Sequence, residues 1–261
     1  MTVTSSLAGP AKGEMTGKIA FVSGAATGIG KASALAFASQ GAQVALADLD
    51  RERGESVAEE IRSTGGTARF HACDMTDEAA LDTLFTAIME NFGRLDYAHN
   101  NVGFSWGGNL LDTSSEDYDR TVNLCLRSPF LSMQRQIRIM QQNGGGSIVN
   151  TASMAGVRYA PAANAAYSAS KAAVIHLTAW AAAHHAKDNI RINAVSPGLV
   201  KTEAVDKFMS EEEQAAHASS TQPIGRAVSV EEIAASVIFL CSDGAAMITG
   251  ENFCVAGGSQ I

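Results

Sequence analysis

Short apolar segments that favour β-strands alternate with longer segments of helical character along almost the whole chain. The strand-like segments are continuous apolar runs, which is typical of strands buried on both faces. They span residues 18–23, 43–48, 68–72, 97–100, 147–151, 191–196 and 253–256. Helical segments connect them at 31–40, 51–63, 78–92, 114–126, 129–143, 165–187 and 230–241. This alternation predicts an α/β fold, a doubly wound parallel sheet of about seven strands with helices on both faces.

The composition narrows the class of protein further. The chain has 261 residues without a repeat, a linker or a low-complexity block, so we expect a flexible tail over 1–14 and a single domain over 15–261. The net charge of −8 gives no support for nucleic acid or an anionic membrane as partner. The four cysteines form no CxxC pair and no histidine cluster is present, so we expect no metal site. Without a long apolar run or a leader-like start, the sequence favours a cytoplasmic protein.

A glycine-rich turn joins the first strand to the first helix. Gly24, Gly28 and Gly30 permit positive φ and remove side chains that would block a phosphate. The N-terminus of the following helix presents free N–H groups and the positive end of its dipole. Such glycines are weak evidence alone, but a strand before them and a helix after them predict a dinucleotide site.

Two acidic residues follow the next strands. Asp48 lies 18 residues beyond Gly30, where a carboxylate binds the ribose hydroxyls of NAD. The Asp48 carboxylate would repel the 2′-phosphate of NADP, which favours NAD, although Arg51 nearby could weaken that preference. The alternative role for Asp48 is a helix cap, but Asp50 is better placed to supply one. Asp74 could accept a hydrogen bond from the adenine amino group, or it could be a turn residue.

Tyr167 and Lys171 are four residues apart on the alanine-rich sixth helical segment. This spacing puts them on one helix face, about 6 Å apart. A nearby ammonium group lowers the pKa of a phenol, which would allow acid/base chemistry. For an isolated pair, a packed ring beside a solvated amine is the better interpretation.

The combination of these motifs resembles the short-chain dehydrogenase/reductase family, in its Tyr-x-x-x-Lys branch, from Gly17 to Ser259. The matching positions are Gly24-x-x-x-Gly28-x-Gly30, Asp48, Asp74, Asn100-Asn101-Val102-Gly103, Asn123, Ser153, Tyr167, Lys171 and Pro197-Gly198. The resemblance implies a Rossmann-type fold. The chain departs from the family pattern at Ser23, Val102 and Ala256, where Thr, Ala and Asp are usual. The Tyr/Lys spacing differs from that of the enoyl-reductase branch.

The resemblance also implies roles. Tyr167 is expected to be the general acid/base and Ser153 to hold the substrate oxygen. Lys171 is expected to lower the pKa of Tyr167 and to bind the nicotinamide ribose, and Asn123 to position a water beside it. The full set expected to bind the cofactor is Gly24, Thr27, Gly28, Ile29, Gly30, Asp48, Leu49, Asp74, Met75, Asn101, Gly103, Tyr167, Lys171, Pro197, Gly198, Val200 and Thr202.

The expected substrate is a hydrophobic secondary alcohol or ketone, cyclic, aromatic or steroid-like, oxidised or reduced with NAD(H). Its expected lining is Phe104, Trp106, Met154, Val157, Tyr159, Phe208 and Met209, under a lid formed by 200–222. One alternative is a 3-oxoacyl-thioester reductase, against which Asp48 argues because such enzymes usually employ NADPH. Another is a catalytically silent NAD-binding regulator. The resemblance further implies a homotetramer or a dimer.

Overall fold

The computed structural model describes residues 13–160 and 163–259. Its centre is one parallel sheet of seven strands: β1 (Ile19–Ser23), β2 (Gln43–Asp48), β3 (Ala68–Ala72), β4 (Tyr97–Asn100), β5 (Gly146–Thr151), β6 (Ile190–Pro197) and β7 (Asn252–Val255). The strand order is β3-β2-β1-β4-β5-β6-β7, and every neighbouring pair is parallel. The chain leaves β1 toward β2 on one side and reaches β4 on the other. This reversal opens a crevice at the carboxyl ends of the strands.

The helices cover both faces of the sheet. Their bounds are α1 (Gly28–Ser39), α2 (Arg51–Ser63), α3 (Glu78–Phe92), α4 (Ser115–Val122), α5 (Ser128–Gln142), α6 (Ala165–His185), α7 (Glu203–Asp206), α8 (Glu211–Thr221) and α9 (Val230–Cys241). One apolar cluster contains side chains of α1, α2 and α9, and another contains side chains of α3, α5 and α6. The predicted doubly wound fold is confirmed. The predicted tail, 1–14, lies outside the described residues except for Gly13 and Glu14.

Local chemistry explains where several helices begin. The Asp50 carboxylate accepts the Arg53 N–H at the start of α2, and the Asp77 carboxylate accepts two N–H groups at the start of α3. Ser210 and Glu213 form a reciprocal capping box that begins α8. The cap that the sequence predicts at Asp50 is confirmed.

One region, between the fourth and fifth helical segments, is more regular than the sequence indicates. The helical segments 114–126 and 129–143 are joined by a π-helical turn, Asn123–Arg127, and form one continuous helical path. The proposed lid region, 200–222, contains the helices α7 and α8. No helix among the described residues is both long and apolar enough to cross a membrane.

Candidate active site

A cavity of about 550 Å³ opens at the carboxyl ends of the central strands. It is lined by every predicted cofactor residue except Gly30, together with the predicted catalytic residue Ser153. Residues from the turns after β1, β2, β3, β4, β5 and β6 converge here because parallel strands end at one edge of the sheet. The structure therefore brings the predicted phosphate-binding and reactive ends into one cavity.

The glycine turn forms a close-packed cradle below α1. Gly24 and Gly28 have φ of 64° and 54°, the left-handed region that favours glycine. A Cβ on Gly30 would lie 1.9 Å from the Gly24 carbonyl oxygen, so Gly30 lets the helix pack against the turn and does not line the cavity. Thr27, the N-cap residue of α1, makes no side-chain cap hydrogen bond within the described part of the chain. The N–H groups at the start of α1 thus keep the freedom to bind a pyrophosphate.

The Asp48 carboxylate is held beside this turn. One oxygen accepts the Ala26 N–H at 3.0 Å and the other accepts the Asp50 N–H at 3.1 Å. Asp50, rather than Asp48, caps α2, which removes the alternative interpretation of Asp48. Each carboxylate oxygen keeps a lone pair for a further donor, so the arrangement fits a ribose diol.

Asp74 lines the same cavity, after β3. Its carboxylate accepts the backbone N–H of Thr76 at 2.8 Å and the Thr76 hydroxyl at 2.7 Å. Asp74 is thus a turn residue that also lines the cavity, and both interpretations of this residue describe part of what is observed.

The reactive side chains come from α6 and from the turn after β5. Asn164 caps α6 by accepting the Tyr167 N–H at 2.8 Å, which fixes the start of the helix. The Lys171 ammonium lies 5.6 Å from the centre of the Tyr167 ring and donates to the Thr151 carbonyl oxygen at 2.6 Å. Ser153 forms a hydrogen bond with the Tyr167 hydroxyl and also accepts the Ala155 N–H at 3.2 Å.

Burial controls the titration of both reactive groups. It raises the pKa of Tyr167 to about 12, while the hydrogen bond with Ser153 acts in the opposite direction. It also lowers the pKa of Lys171. For the protein's own groups the net shift of the Tyr167 pKa is upward, because loss of solvent dominates and the Lys171 ammonium donates to Thr151. The lowering of that pKa by Lys171 stays a prediction.

The structure contradicts the expected place of the Asn123 side chain. This residue is exposed in the π-helical turn and lines a surface groove with Phe130 and Trp180, outside the cavity. Cys125 takes the inward position instead: it is fully buried, and its thiol meets the Phe104 carbonyl oxygen at 3.1 Å. A water-positioning role would have to use the backbone of the π-helical turn rather than the Asn123 side chain, and it stays a prediction.

The spacing of buried residues along this helical path accounts for the arrangement. Thr121 and Cys125 are both buried and lie four residues apart, so they share one side of the helical path. Asn123, two residues from each, falls on the opposite side. The polar and small residues at these three positions do not by themselves show which side faces the sheet.

A second cavity, of about 940 Å³, adjoins the first at Phe104. Of the predicted substrate-lining residues, Phe104, Val157, Tyr159 and Phe208 line it, whereas Trp106, Met154 and Met209 do not. Trp106 instead packs edge-on against the Phe104 ring, with ring centres 4.9 Å apart, and Met154 is buried. Arg158 is the only cation among the described residues lining this cavity.

The fold and the cavity together define a nucleotide-dependent oxidoreductase. A dinucleotide cradle stands at one end of the cavity, and a tyrosine with a serine and a lysine beside it stands at the other. Among the described residues, no cluster of His, Cys, Asp and Glu is arranged to hold a metal ion.

Comparison with known proteins identifies the family. A family model described as enoyl-(acyl carrier protein) reductase matches residues 24–260. A D-threitol dehydrogenase of Mycolicibacterium smegmatis is 37% identical over 95% of this chain and 94% of its own length. A 3-oxoacyl-[acyl-carrier-protein] reductase of Thermotoga maritima is 34% identical over 95% and 99%. The chain belongs to the short-chain dehydrogenase/reductase family, as the sequence motifs indicate.

A solved structure of a related enzyme has the same fold as this chain. It is a 7α-hydroxysteroid dehydrogenase complexed with NADH and 7-oxo glycochenodeoxycholic acid. It is 33% identical, superposes with a TM-score of 0.89 and covers 94% of both chains. The family binds nicotinamide cofactors, and this chain is an oxidoreductase of that family.

Proposed function

We propose that the protein is an NAD(H)-dependent dehydrogenase or ketone reductase acting on a hydrophobic secondary alcohol or ketone that is cyclic, aromatic or steroid-like. The observation that carries the proposal is the placement of Ser153, Tyr167 and Lys171 in the same cavity as the glycine turn and Asp48.

When bound, the cofactor supplies the hydride acceptor or donor. Ser153 holds the substrate oxygen through its hydroxyl, and Tyr167 exchanges the proton at that oxygen. Lys171 binds the nicotinamide ribose, while its hydrogen bond to Thr151 fixes the ammonium group in the cavity. The wall that would meet the nicotinamide end consists of Pro197, Gly198, Val200 and Thr202.

The preference for NAD rests on Asp48. A fixed carboxylate at the end of β2 repels the additional phosphate of NADP and offers acceptors to a free ribose diol. Arg53 is close enough for its charge to interact with Asp48, but its guanidinium group pairs with Asp50 at 2.6 Å and with Glu203 at 3.0 Å. Both ion pairs compete with binding of a 2′-phosphate by Arg53.

The second cavity supports a bulky apolar substrate. Phe104 lines both cavities and its ring centre lies 6.2 Å from that of Phe208, while the exposed side chains of Leu110 and Tyr159 border the outer cavity. Exposed apolar surface of this kind suits the ring system of a hydrophobic ligand. The steroid bound in the related structure has that chemistry, whereas the threitol named for another relative is a small polyol. A panel of alcohols that spans both size and polarity therefore tests the proposal.

Three further assignments belong to the proposal. We place the substrate lid at 200–222, where Glu203 and Val205 of α7 line the first cavity, and assign the protein to the cytoplasm. We also expect a homotetramer or a dimer. A groove between the α4–α5 path and α6 presents Phe130 and Trp180, which are 43% and 55% exposed, and a second copy would bury them.

The test is reduced-nicotinamide absorbance with a panel of alcohols, using NAD and NADP in parallel. We expect turnover of bulky apolar alcohols with NAD, and its loss in Tyr167→Phe while NADH binding is unchanged. Unchanged turnover in Tyr167→Phe would refute the acid/base assignment. Asp48→Ser should improve use of NADP relative to NAD; wild-type preference for NADP would instead refute the cofactor assignment.

A second candidate, a 3-oxoacyl-thioester reductase, is favoured by the relative from Thermotoga maritima. The same assay with a 3-oxoacyl thioester decides between the two functions, because the thioester reductase should prefer NADPH and turn over few of the alcohols. Tight NADH binding without turnover of any substrate would favour the silent regulator.

A further inference from the structure

His99 is a fully buried histidine in the middle of the sheet, outside both cavities. It lies on β4, where its neighbours in register are Val22 on β1 and Val149 on β5. Its Nε2 lies 2.8 Å from the Thr151 hydroxyl oxygen, and its Nδ1 has no hydrogen-bond partner among the described residues. Burying a ring nitrogen without a hydrogen-bond partner costs free energy that an apolar residue at this position would not cost. The presence of a histidine here therefore calls for an explanation.

The hydrogen bonds determine which ring nitrogen carries the proton. The Asn101 amide donates from Nδ2 to the Gly24 carbonyl oxygen at 3.4 Å, so its Oδ1 is the acceptor for the Thr151 hydroxyl at 3.2 Å. The single hydroxyl proton of Thr151 is thereby used. The short contact with His99 is then satisfied only when Nε2–H donates to the Thr151 oxygen, which makes Nδ1 the unprotonated nitrogen.

His99 remains neutral in this arrangement. Burial, with a smaller contribution from the positive charge of Lys171, lowers its pKa to about 3. A neutral ring with its proton on Nε2 is therefore the form present over the range in which the enzyme would work.

Thr151 connects this ring to both ends of the active site. Its carbonyl oxygen accepts the Lys171 ammonium at 2.6 Å, and its hydroxyl orients Asn101. Asn101 in turn reaches the Gly24 carbonyl through Nδ2, and its backbone N–H donates to the Ser23 hydroxyl at 3.0 Å. One chain of hydrogen bonds thus runs from His99 through Thr151 and Asn101 to the glycine turn.

We propose that His99 is a positioning residue: as a fixed Nε2–H donor it orients Thr151 and Asn101, and through them it aligns the glycine turn with Lys171 for cofactor binding. The inference rests on the proposed function, because it takes the cavity as the nicotinamide cofactor site. The competing explanation is that His99 only fills space between β1 and β5.

A matched pair of variants separates these explanations. Gln and Met are unbranched and similar in size, but only Gln can place a donor near the position of Nε2. We expect His99→Met to weaken NADH binding by about tenfold, the effect of losing one buried hydrogen bond. We expect His99→Gln to bind NADH within about twofold of the wild type, measured by fluorescence titration of the full chain.

The tautomer gives an independent measurement on the wild-type protein. In ¹⁵N NMR of the histidine ring, Nε2 should be protonated and Nδ1 unprotonated near neutral pH. A proton on Nδ1, or equal loss of NADH affinity in both variants, would overturn the role of His99. If the wild-type protein does not bind NADH, both the proposed function and this inference are refuted. If the wild type binds NADH and the two variants have equal affinities for it, only the inference about His99 is refuted.

Discussion

The buried neutral state of His99 makes the stability of the protein depend on pH in a calculable way. Its pKa is about 3 in the folded chain and 6.5 as an unperturbed histidine. Below pH 6.5 the unfolded chain binds a proton that the folded chain does not, so this contribution to stability is present above that pH. It is lost progressively as the pH falls toward 3.

The magnitude follows from these two values. Lowering the pH from about 7.5 to about 5 should cost about 2 kcal/mol of unfolding free energy through His99 alone. Carboxylates add little over this interval, because most of their titration lies below about pH 4.5. The measurement is urea unfolding of the purified protein without added cofactor at both pH values, followed by circular dichroism.

The assay compares the wild type with His99→Gln, which cannot take up the proton. The variant should lose about 2 kcal/mol less than the wild type over this pH interval, whatever its stability at neutral pH. His71→Gln is the control, because His71 lies on the edge strand β3, is only partly buried, and has a less perturbed pKa. Equal pH dependence in the wild type and His99→Gln would refute the conclusion that the buried ring stays neutral.

Two substitutions test other contacts of the site. Gly30→Ala should abolish NADH binding or soluble expression, because its Cβ would lie 1.9 Å from the Gly24 carbonyl oxygen. Gly108→Ala is the control and should be tolerated, because its Cβ would come no closer than 3.6 Å to a neighbouring atom. Equal behaviour of the two variants would contradict the packing role of Gly30. Phe208→Ala should raise the KM of bulky apolar alcohols by about tenfold through loss of an aromatic contact, with little effect on a small alcohol; a uniform change for both would show that Phe208 does not contact substrate.

Most of the fold can be predicted from the sequence, because the periodicity of strands and helices and the residues that end them are properties of short segments. The segments 43–48, 68–72 and 97–100 coincide with β2, β3 and β4, and Asp50 caps α2 as its position indicates. The π-helical turn is not predicted from these local signals, because the residue types do not specify the backbone hydrogen bonds that define it. The motif residue Asn123 lies in that turn, but the motif does not show that Cys125 is the side chain that faces inward.

Most of the predicted cofactor residues could be placed for a related reason: they lie at a strand end or in the glycine turn, where the topology of the sheet brings them to the cavity. The chain of hydrogen bonds around His99 cannot be predicted from the sequence. His99 and Thr151 are 52 residues apart, and neither belongs to a recognisable motif. Only the pairing of β4 with β5 brings them into contact, so their interaction becomes visible once the strand order is known.

The titration of the reactive pair shows what a spacing argument omits. The four-residue separation correctly places Lys171 near Tyr167, and from charge alone the ammonium group should favour the phenolate. Burial opposes the charged form of both groups, raising the pKa of Tyr167 to about 12 and lowering that of Lys171. The protein's own groups therefore disfavour the phenolate–ammonium ion pair. Acid/base function at neutral pH consequently requires polar or charged groups that compensate for the lost solvent, and in the proposed function the bound cofactor and the substrate oxygen supply them.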